Sequence, residues 1–555
     1  MPFSSPFPNL DIPKCNLLDY LFPKGQQPAE TPLWIDAKDT SQYLTSRTLQ
    51  QWSKRLALGL DRLGSKPGEV VMIYTPNQIF VPVAYLGIVG SKRVFSGANP
   101  AYTLSEMIHQ VSNTQAQVIL AHPSLASTAV QAAKKAGLPD GRVFLFSDVP
   151  NPPAQGCRDW RNLLASPSEA DQYTWPSLTP EESVKTTATV NYSSGTTGLP
   201  KGVEVSHHNL IANLDQTIYM RYLRKPWNAD TRPREVWIGF LPLYHAYGQL
   251  YTIAMAQKLQ VPVYILKQFQ YAEFLRVIQD HKVTHLQIAP PIMVMLSKRP
   301  ETANYDLSSV TDILCGAAPL SRELQNEISK KLDCEIVQGW GMTEVTCGAI
   351  HVPGGTIDDS GSVGQLDPNC ECMLLDDNGK EVKDGERGEL YVRGPNICMG
   401  YWRNPHATKE ALSPDGWLKS GDVAIVKDGW FWIVDRKKEL IKVNGLQVAP
   451  AELEAVLLEF DPIADAAAVG IVLDDQEWPR AYVHIKDEFK GKTTEEQIHA
   501  HMKEKLAKHK QLAGGIVFVD EIPKLQSGKI KRTVMRDWAK KDAEALRGKK
   551  PRAKL

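Results

Sequence analysis

The sequence predicts an α/β protein: a large N-terminal region of parallel sheets clothed in helices, then a smaller α+β region. Three observations carry this expectation. Up to about Asp435, apolar runs of strand length alternate with amphipathic stretches of helical period, the pattern of parallel sheets covered on both faces. From Gly361 to Val434, short strands are separated by turns such as Asp377-Asn-Gly379, Asp384-Gly385 and Asp428-Gly429, the punctuation of antiparallel structure. After Asp435 a compact α+β pattern begins. The 555 residues leave room for about three folding units at roughly 100–200 residues each. The expected division is 1–435, with 361–434 as its β-rich part, and 436–555.

Individual elements follow from local pattern. Glu69-Val-Val-Met-Ile-Tyr74 reads as a buried strand and Phe80 to Val89 as the helix after it. Gln117 to Ala121 and Arg142 to Phe146 read as further strands. Pro150 to Thr179, rich in Pro and Ser, reads as a long surface connection. Ser206 is placed to cap a helix opening at His207-His208. Pro450 sits where a helix would begin, with Glu452 and Glu454 near its positive end. The charged run Asp435-Arg-Lys-Lys-Glu439 lies between two apolar strands and reads as a hinge or a solvated turn.

Composition excludes several classes. Hydrophobic residues make up 43% and charged residues 23%, an ordinary globular balance. Lys+Arg and Asp+Glu are equal at 63 each, so bulk charge gives no reason to expect nucleic acid or an anionic membrane as partner. The eight cysteines contain no CxxC pair, and strand alternation accounts for Cys370 and Cys372 better than zinc does. Reduced thiols of an intracellular protein are expected. The N-terminal Met1 to Pro13 lacks the features of a signal or transit peptide, and no run of 18 apolar residues predicts a membrane span. The sequence ends Ala553-Lys554-Leu555, a close variant of the Ser-Lys-Leu peroxisomal address, so peroxisomal import through its receptor is expected, with the cytoplasm as the other location.

The most informative stretch runs from Thr186 to Glu204. An alternating strand enters Ser193-Ser194-Gly195-Thr196-Thr197-Gly198, followed by Leu-Pro-Lys201-Gly202 and a second strand. Glycines let the backbone turn its N–H groups toward a phosphate, four hydroxyls add donors, and Lys201 adds a positive charge. An ordinary P-loop needs Gly-Lys-Ser/Thr opening a helix, and here Lys201 is followed by Gly202 and a strand, so a kinase or GTPase signature is absent.

Ser-Ser-Gly-Thr-Thr-Gly-Leu-Pro-Lys-Gly resembles the signature loop of the acyl-adenylate-forming (AMP-binding) superfamily. Further segments resemble that family's motifs in their proper order: Leu241 to Tyr247, Cys315-Gly-Ala-Ala-Pro-Leu320, Gln338-Gly-Trp-Gly-Met-Thr-Glu344, Ser420-Gly-Asp422, Asp435 to Val448, and Pro523 to Lys529. The likeness runs along nearly the whole chain and is strongest to the 4-coumarate–CoA ligase-like acyl-CoA synthetases. It implies a distorted β-barrel within the N-terminal domain and a small mobile α+β C-terminal domain.

The resemblance also implies roles. Nucleotide contacts fall on Ser193, Ser194, Gly195, Thr196, Thr197, Gly198, Lys201, Gln338, Gly339, Trp340, Gly341, Met342, Thr343, Asp422, Arg436, Lys438 and Lys529. Thr343 would donate to the α-phosphate, Glu344 hold Mg²⁺, Asp422 accept from the ribose hydroxyls with Arg436 beside it, and Lys529 bridge the acid carboxylate and the α-phosphate. Trp340 stands where the family often has a tyrosine stacked on adenine. An acyl pocket is expected from His245, Tyr247, Gly316, Ala317, Gly339, Val345 and Gly348. For the thiol step the implied residues are Lys442, Gln447, Asn444 and Gly445, with Lys267 beside Gln268, and the C-terminal domain is expected to rotate so that Lys529 leaves. Asn444 and Gln268 depart from the plant pattern, which has lysines there.

The implied activity is an acid–CoA ligase using ATP, Mg²⁺ and coenzyme A. The small residues of the pocket point to an aromatic or medium-chain carboxylic acid. A stand-alone adenylation enzyme charging a carrier protein is the alternative, weakened by an end 26 residues after Lys529 with no carrier domain. Nothing points to luciferase-like oxygen chemistry. A non-catalytic nucleotide sensor would require losses at Lys529, Glu344 or Asp422, and all three are present.

Overall fold

The computed structural model describes residues 2–193, 200–443, 446–473, 476–525 and 528–546. Two large sheets form the N-terminal domain. In the eight-stranded sheet, Val70–Tyr74 is flanked in parallel by Val94–Ala98 and Val118–Ala121, and Val143–Leu145 continues outward. Val70–Tyr74 and Val94–Ala98 are buried along their whole length, as strands covered on both faces must be. At one edge, Thr187–Ser193 and Lys201–Ser206 form an antiparallel pair, and Gly400–Tyr401 adds beyond it. The helix His207–Tyr222 starts directly after this hairpin, with Ser206 accepting from the Asn209 N–H in a capping box.

The nine-stranded sheet carries His285–Ile288, Asp312–Cys315 and Glu335–Trp340 in parallel order, and Ile350–His351 pairs antiparallel with the last of these. Two of its helices matter below: α1 (Pro290–Lys298) and α2 (Arg322–Leu332). The antiparallel segment expected between Gly361 and Val434 is present as a five-stranded sheet ordered Phe3–Ser4, Glu371–Leu375, Arg387–Arg393, Leu418–Lys427 and Trp430–Arg436. Asp428 and Gly429 both take positive φ (52° and 78°), the conformation a two-residue hairpin turn requires.

After Arg436 the chain forms the hairpin Ile441–Val443/Leu446–Val448, then helix α3 (Pro450–Glu459), then a three-stranded sheet and the helix Arg532–Leu546. Pro450 occupies the first turn of α3, as its sequence position predicted. No helix among the described residues is long and apolar enough to cross a membrane.

Pro150 to Thr179 corrects an expectation. It is no mere surface connection. Arg158–Asp159 extends the eight-stranded sheet, and Trp160 is fully buried. Its indole lies 5.0 Å from Phe146 and 5.5 Å from Phe80, both edge-on. Prolines and serines punctuate the segment, but one large apolar ring is enough to anchor it. Trp160→Ala should lower unfolding free energy by about 3–5 kcal/mol, measured as a shifted denaturant midpoint at unchanged slope. An unshifted midpoint would mean that the segment packs independently of the core.

Candidate active site

A cavity of about 610 Å³ opens among the N-terminal sheets, and the C-terminal domain contributes Lys437, Lys438 and Lys529 to its wall. A second cavity, of about 630 Å³, lies alongside and shares Ala317, Gly339, Trp340, Gly341, Arg436 and Lys529 with the first.

One end is built by the hairpin. Ser193 and Lys201 stand opposite each other in register and both line the cavity. Ser194, Gly195, Thr196, Thr197 and Gly198 lie outside the described residues. Lys201 places its ammonium 5.1 Å from the centre of the Tyr401 ring, and the Tyr401 hydroxyl donates to Glu344 Oε1 at 2.8 Å. Tyr401 arrives through backbone pairing, since Val203 on the hairpin is its strand partner. Cation, aromatic ring and carboxylate thus form one connected group. Sequence reasoning missed Tyr401, because no local motif marks a residue that reaches the site through strand register.

The middle of the site is a second connected group. Asp422 and Arg436 face each other across the antiparallel pair Leu418–Lys427/Trp430–Arg436. Arg436 Nε lies 3.6 Å from Asp422 Oδ1, and the Trp340 indole N–H donates to Oδ2 at 2.8 Å. Burial raises the Asp422 carboxyl above the usual carboxylate range, against the pull of Arg436. Lys529 is brought down to about 8 by burial, with Arg436 pushing the same way and Asp422 and Glu344 opposing. A lysine with that balance is a cation at neutral pH that is close to losing its proton.

Facing Lys529 is His245. Its Nδ1 accepts from the Tyr247 N–H at 3.4 Å, so the neutral ring carries its proton on Nε2. Burial and the nearby Lys529 push its pKa down to about 4, which keeps the ring neutral. Beyond it the cavity is lined by Tyr247, Gly316, Ala317, Gly339 and Gly348, as the pocket reading expected, together with Tyr251, Cys347 and His351. A Cβ built on Gly316 would fit in ordinary van der Waals contact, 3.8 Å from the Gly339 carbonyl oxygen and from the Tyr247 ring edge and hydroxyl.

His351, like Tyr251, is a lining residue that sequence reasoning missed. It pairs directly with Gly339 across the strands, and its Nδ1–H donates to both Asp367 oxygens at 2.9 Å. Asp367 is completely buried. A Cβ on Gly348 would come within 2.5 Å of the imidazole Cε1, and one on Gly339 within 2.9 Å of Cδ2. Both glycines are therefore needed to seat the ring.

Several expected residues lie elsewhere. Val345 is not in the pocket: it ends the short helical turn Thr343–Val345 and is fully buried in the core with Ile350 and Leu366. Thr346 then takes φ +69° and turns the chain so that Cys347 and Gly348 return to the cavity. Gln338 lines neither cavity: its side chain is buried, and its amide donates to Gln325 Oε1 at 2.7 Å. Lys267 pairs with Asp36 (2.8 Å) and with Asp148, and lines neither cavity. Lys442 and Gln447 face each other on the hairpin and also line neither cavity. Asn444 and Gly445 lie outside the described residues, as do Ala553, Lys554 and Leu555. Gly341, Met342, Thr343, Glu344 and Lys438 all line the first cavity. Among the described residues no cluster of three or more metal-ligating side chains exists; the carboxylates that line the first cavity are Glu344, Glu389 and Glu410.

A cavity with Lys201 at one end and Lys529 at the other, with Asp422 and Arg436 on the adjoining cavity and a chamber of tyrosines and glycines beyond His245, is the arrangement of an adenylating site. The comparisons agree. The family model described as AMP-binding enzyme matches residues 24–402, and that described as AMP-binding enzyme C-terminal domain matches 452–529. The chain belongs to the AMP-binding enzyme family. An acyl-CoA synthetase of Alternaria alternata is 36% identical over 94% of this chain and 91% of its own. A phenylacetyl-CoA ligase of Aspergillus niger is 34% identical over 95% of this chain and 98% of its own. Among solved structures, ATP-bound MatB from Rhodopseudomonas palustris superposes with a TM-score of 0.82 at 25% identity, covering 95% of this chain and 99% of that one.

Two outcomes follow from the geometry. Gly316→Leu should narrow the chamber beside Tyr247, raising KM for bulky acids by at least tenfold while leaving the smallest acids nearly unaffected; equal losses on both would show that Gly316 does not border the acyl chamber. The Lys529 ammonium is present below about pH 8 and is lost as pH rises through it, so the adenylate-forming rate should fall on the alkaline side with a limb near that value. A rate that stays flat to pH 10 would contradict a role for the charged lysine.

Proposed function

We infer that the protein is an ATP-dependent, AMP-forming acid–thiol ligase that joins a carboxylic acid to coenzyme A through an acyl-adenylate. The observation that carries this reading is the position of Lys529, buried at the junction of the two cavities with Asp422 and Arg436 on one side and His245 on the other. A carboxylate entering from the acyl chamber meets this ammonium where the α-phosphate of ATP would lie. Attack of the carboxylate oxygen on the α-phosphorus forms the mixed anhydride and releases pyrophosphate. Lys529 holds the two anions together and stabilises the charge that develops between them. Neutral His245 can donate from Nε2 without competing as a second cation.

The phosphate end suits the leaving group, with Lys201 as its cation and Ser193 as a donor. Mg²⁺ fits there as an ion bound mainly by phosphate oxygens, with Glu344 as its one protein carboxylate oriented by Tyr401. Such an ion would neutralise the pyrophosphate as it departs. Asp422 suits the ribose hydroxyls, and Trp340, fixed by its bond to Asp422, offers a flat face beside the purine. The chamber lined by Tyr247, Tyr251, Gly316 and His351 suits an aromatic or medium-chain acid, in line with the phenylacetyl-CoA ligase among the relatives. Coenzyme A as acceptor is supported by the same relatives. Lys442 and Gln447, outside the cavities here, are proposed to serve the thiol step once Lys529 has withdrawn.

The test is pyrophosphate and AMP release over a panel of acids, with and without CoA. Lys529→Ala should abolish acyl-adenylate formation, by roughly 10²–10³-fold or more. Lys442→Ala should leave pyrophosphate release intact and slow transfer to CoA. Equal loss of both half-reactions in the Lys442 variant would refute this division of labour.

A further inference from the structure

Lys529 reaches the cavity only because the C-terminal domain is docked on the N-terminal one, and helix α1 makes two contacts across that junction. Near its start, Pro291 packs against the turn that carries Lys529: a Cβ on Gly528, at φ +82°, would come within 2.8 Å of the proline ring. At its end, two turns further along the same face, Lys298 crosses to helix α3. Its ammonium donates to the carbonyl of Leu458, in the last turn of α3, and to that of Ile463 at 3.3 Å. The last turn of α3 contains no basic residue of its own. Lys298 therefore supplies, from the other domain, both the cation that a helix C-terminus favours and a donor for its open Leu458 carbonyl, while Ile463 opens the strand that follows.

From α3 the contact is transmitted to the active site by rigid links. Glu454 on α3 pairs through both carboxylate oxygens with Arg532, at 2.9 Å for Oε2, and Arg532 also bonds Glu439 at 3.1 Å. Arg532 opens the C-terminal helix just after Lys529. The other end of α3 is fixed as well: Asp435, the last acidic residue before the C-terminal domain, accepts from the Ala451 N–H at 3.0 Å. The helix is thus tied at its N-terminus to the interdomain crossing and at its C-terminus to α1.

We propose that Lys298 is a positioning residue for adenylate formation: it braces α3 against α1 and so holds Lys529 in the cavity. The inference rests on the ligase reading above. Its test uses the full-length chain with Lys298→Met, which keeps the length of the side chain but loses its donors, and Lys298→Arg, which restores a cation. Pyrophosphate release in a single turnover should slow roughly 10–100-fold in the Met variant, the size of effect expected when a catalytic group is misplaced by about an ångström. Transfer to CoA from acyl-adenylate supplied in advance should stay within about twofold of wild type, and Arg should recover most of the lost rate. Separately, a fluorophore pair on exposed positions of the two domains, read without substrates, should show a broadened interdomain distance in the Met variant alone. Equal slowing of both half-reactions, or an unchanged distance distribution, would overturn the proposal. A wild-type protein that releases no pyrophosphate with any acid would instead sink the ligase reading, and the distance measurement would still decide the role of Lys298.

Discussion

Removing the ammonium of Lys529 from water carries a large desolvation cost, and much of the architecture is arranged around meeting it. Three carboxylates, Asp422, Glu344 and Glu439, act on it from different parts of the chain, while Arg436 restrains the attraction by adding positive charge. The lysine is therefore stabilised enough to enter and not so tightly paired that it must remain. The same balance explains why the cation comes from a separate domain. A group fixed permanently in the N-terminal sheets could not leave, and the acid, the nucleotide and a thiol would have to share the space it occupies.

The remaining parts of the site are fastened to one another through cross-strand pairs. Val203 with Tyr401, Gly339 with His351, and Asp422 with Arg436 are each direct backbone partners. Each pair brings a side chain to a residue distant in sequence, and the rigidity of an antiparallel ladder fixes the angle of approach. The loops deliver short motifs, and the ladders deliver the residues that orient them.

This division explains what could be read in the chain before its fold was known. The alternation of elements, the β-rich segment after Gly361, the helix opening at Pro450 and the Ser206 cap were all legible, because each depends on local pattern. So was the gathering of Lys201, Thr343, Glu344, Arg436 and Lys529 around one cavity, with Asp422 on the adjoining one, because contiguous motifs mark them. Tyr401 and His351 were not legible, since their placement depends on strand register, with Val203 far back in the chain for one and with Gly339 across a short antiparallel pair for the other. Gln338 and Val345 were misplaced for a related reason. A motif names neighbouring residues together, but the Gln338 amide is taken up by Gln325, and a single positive φ at Thr346 separates Val345 from Gly348. Trp160 shows the same limit at the level of the fold, where composition suggested a connection and one buried ring made it part of the core.

The seat of His351 has a consequence for how this chamber could diverge. Because the imidazole occupies space vacated by Gly339 and Gly348, volume and polarity at that end cannot vary independently. A side chain added at either glycine would displace the ring and leave Asp367 as a buried charge without its donor, and replacing the histidine first would do the same. A lineage adapting this scaffold to a differently shaped acid would have to change three or four positions together there. Gly316, where a small side chain would meet only ordinary van der Waals contacts at 3.8 Å, is the wall where single substitutions can retune selectivity one step at a time.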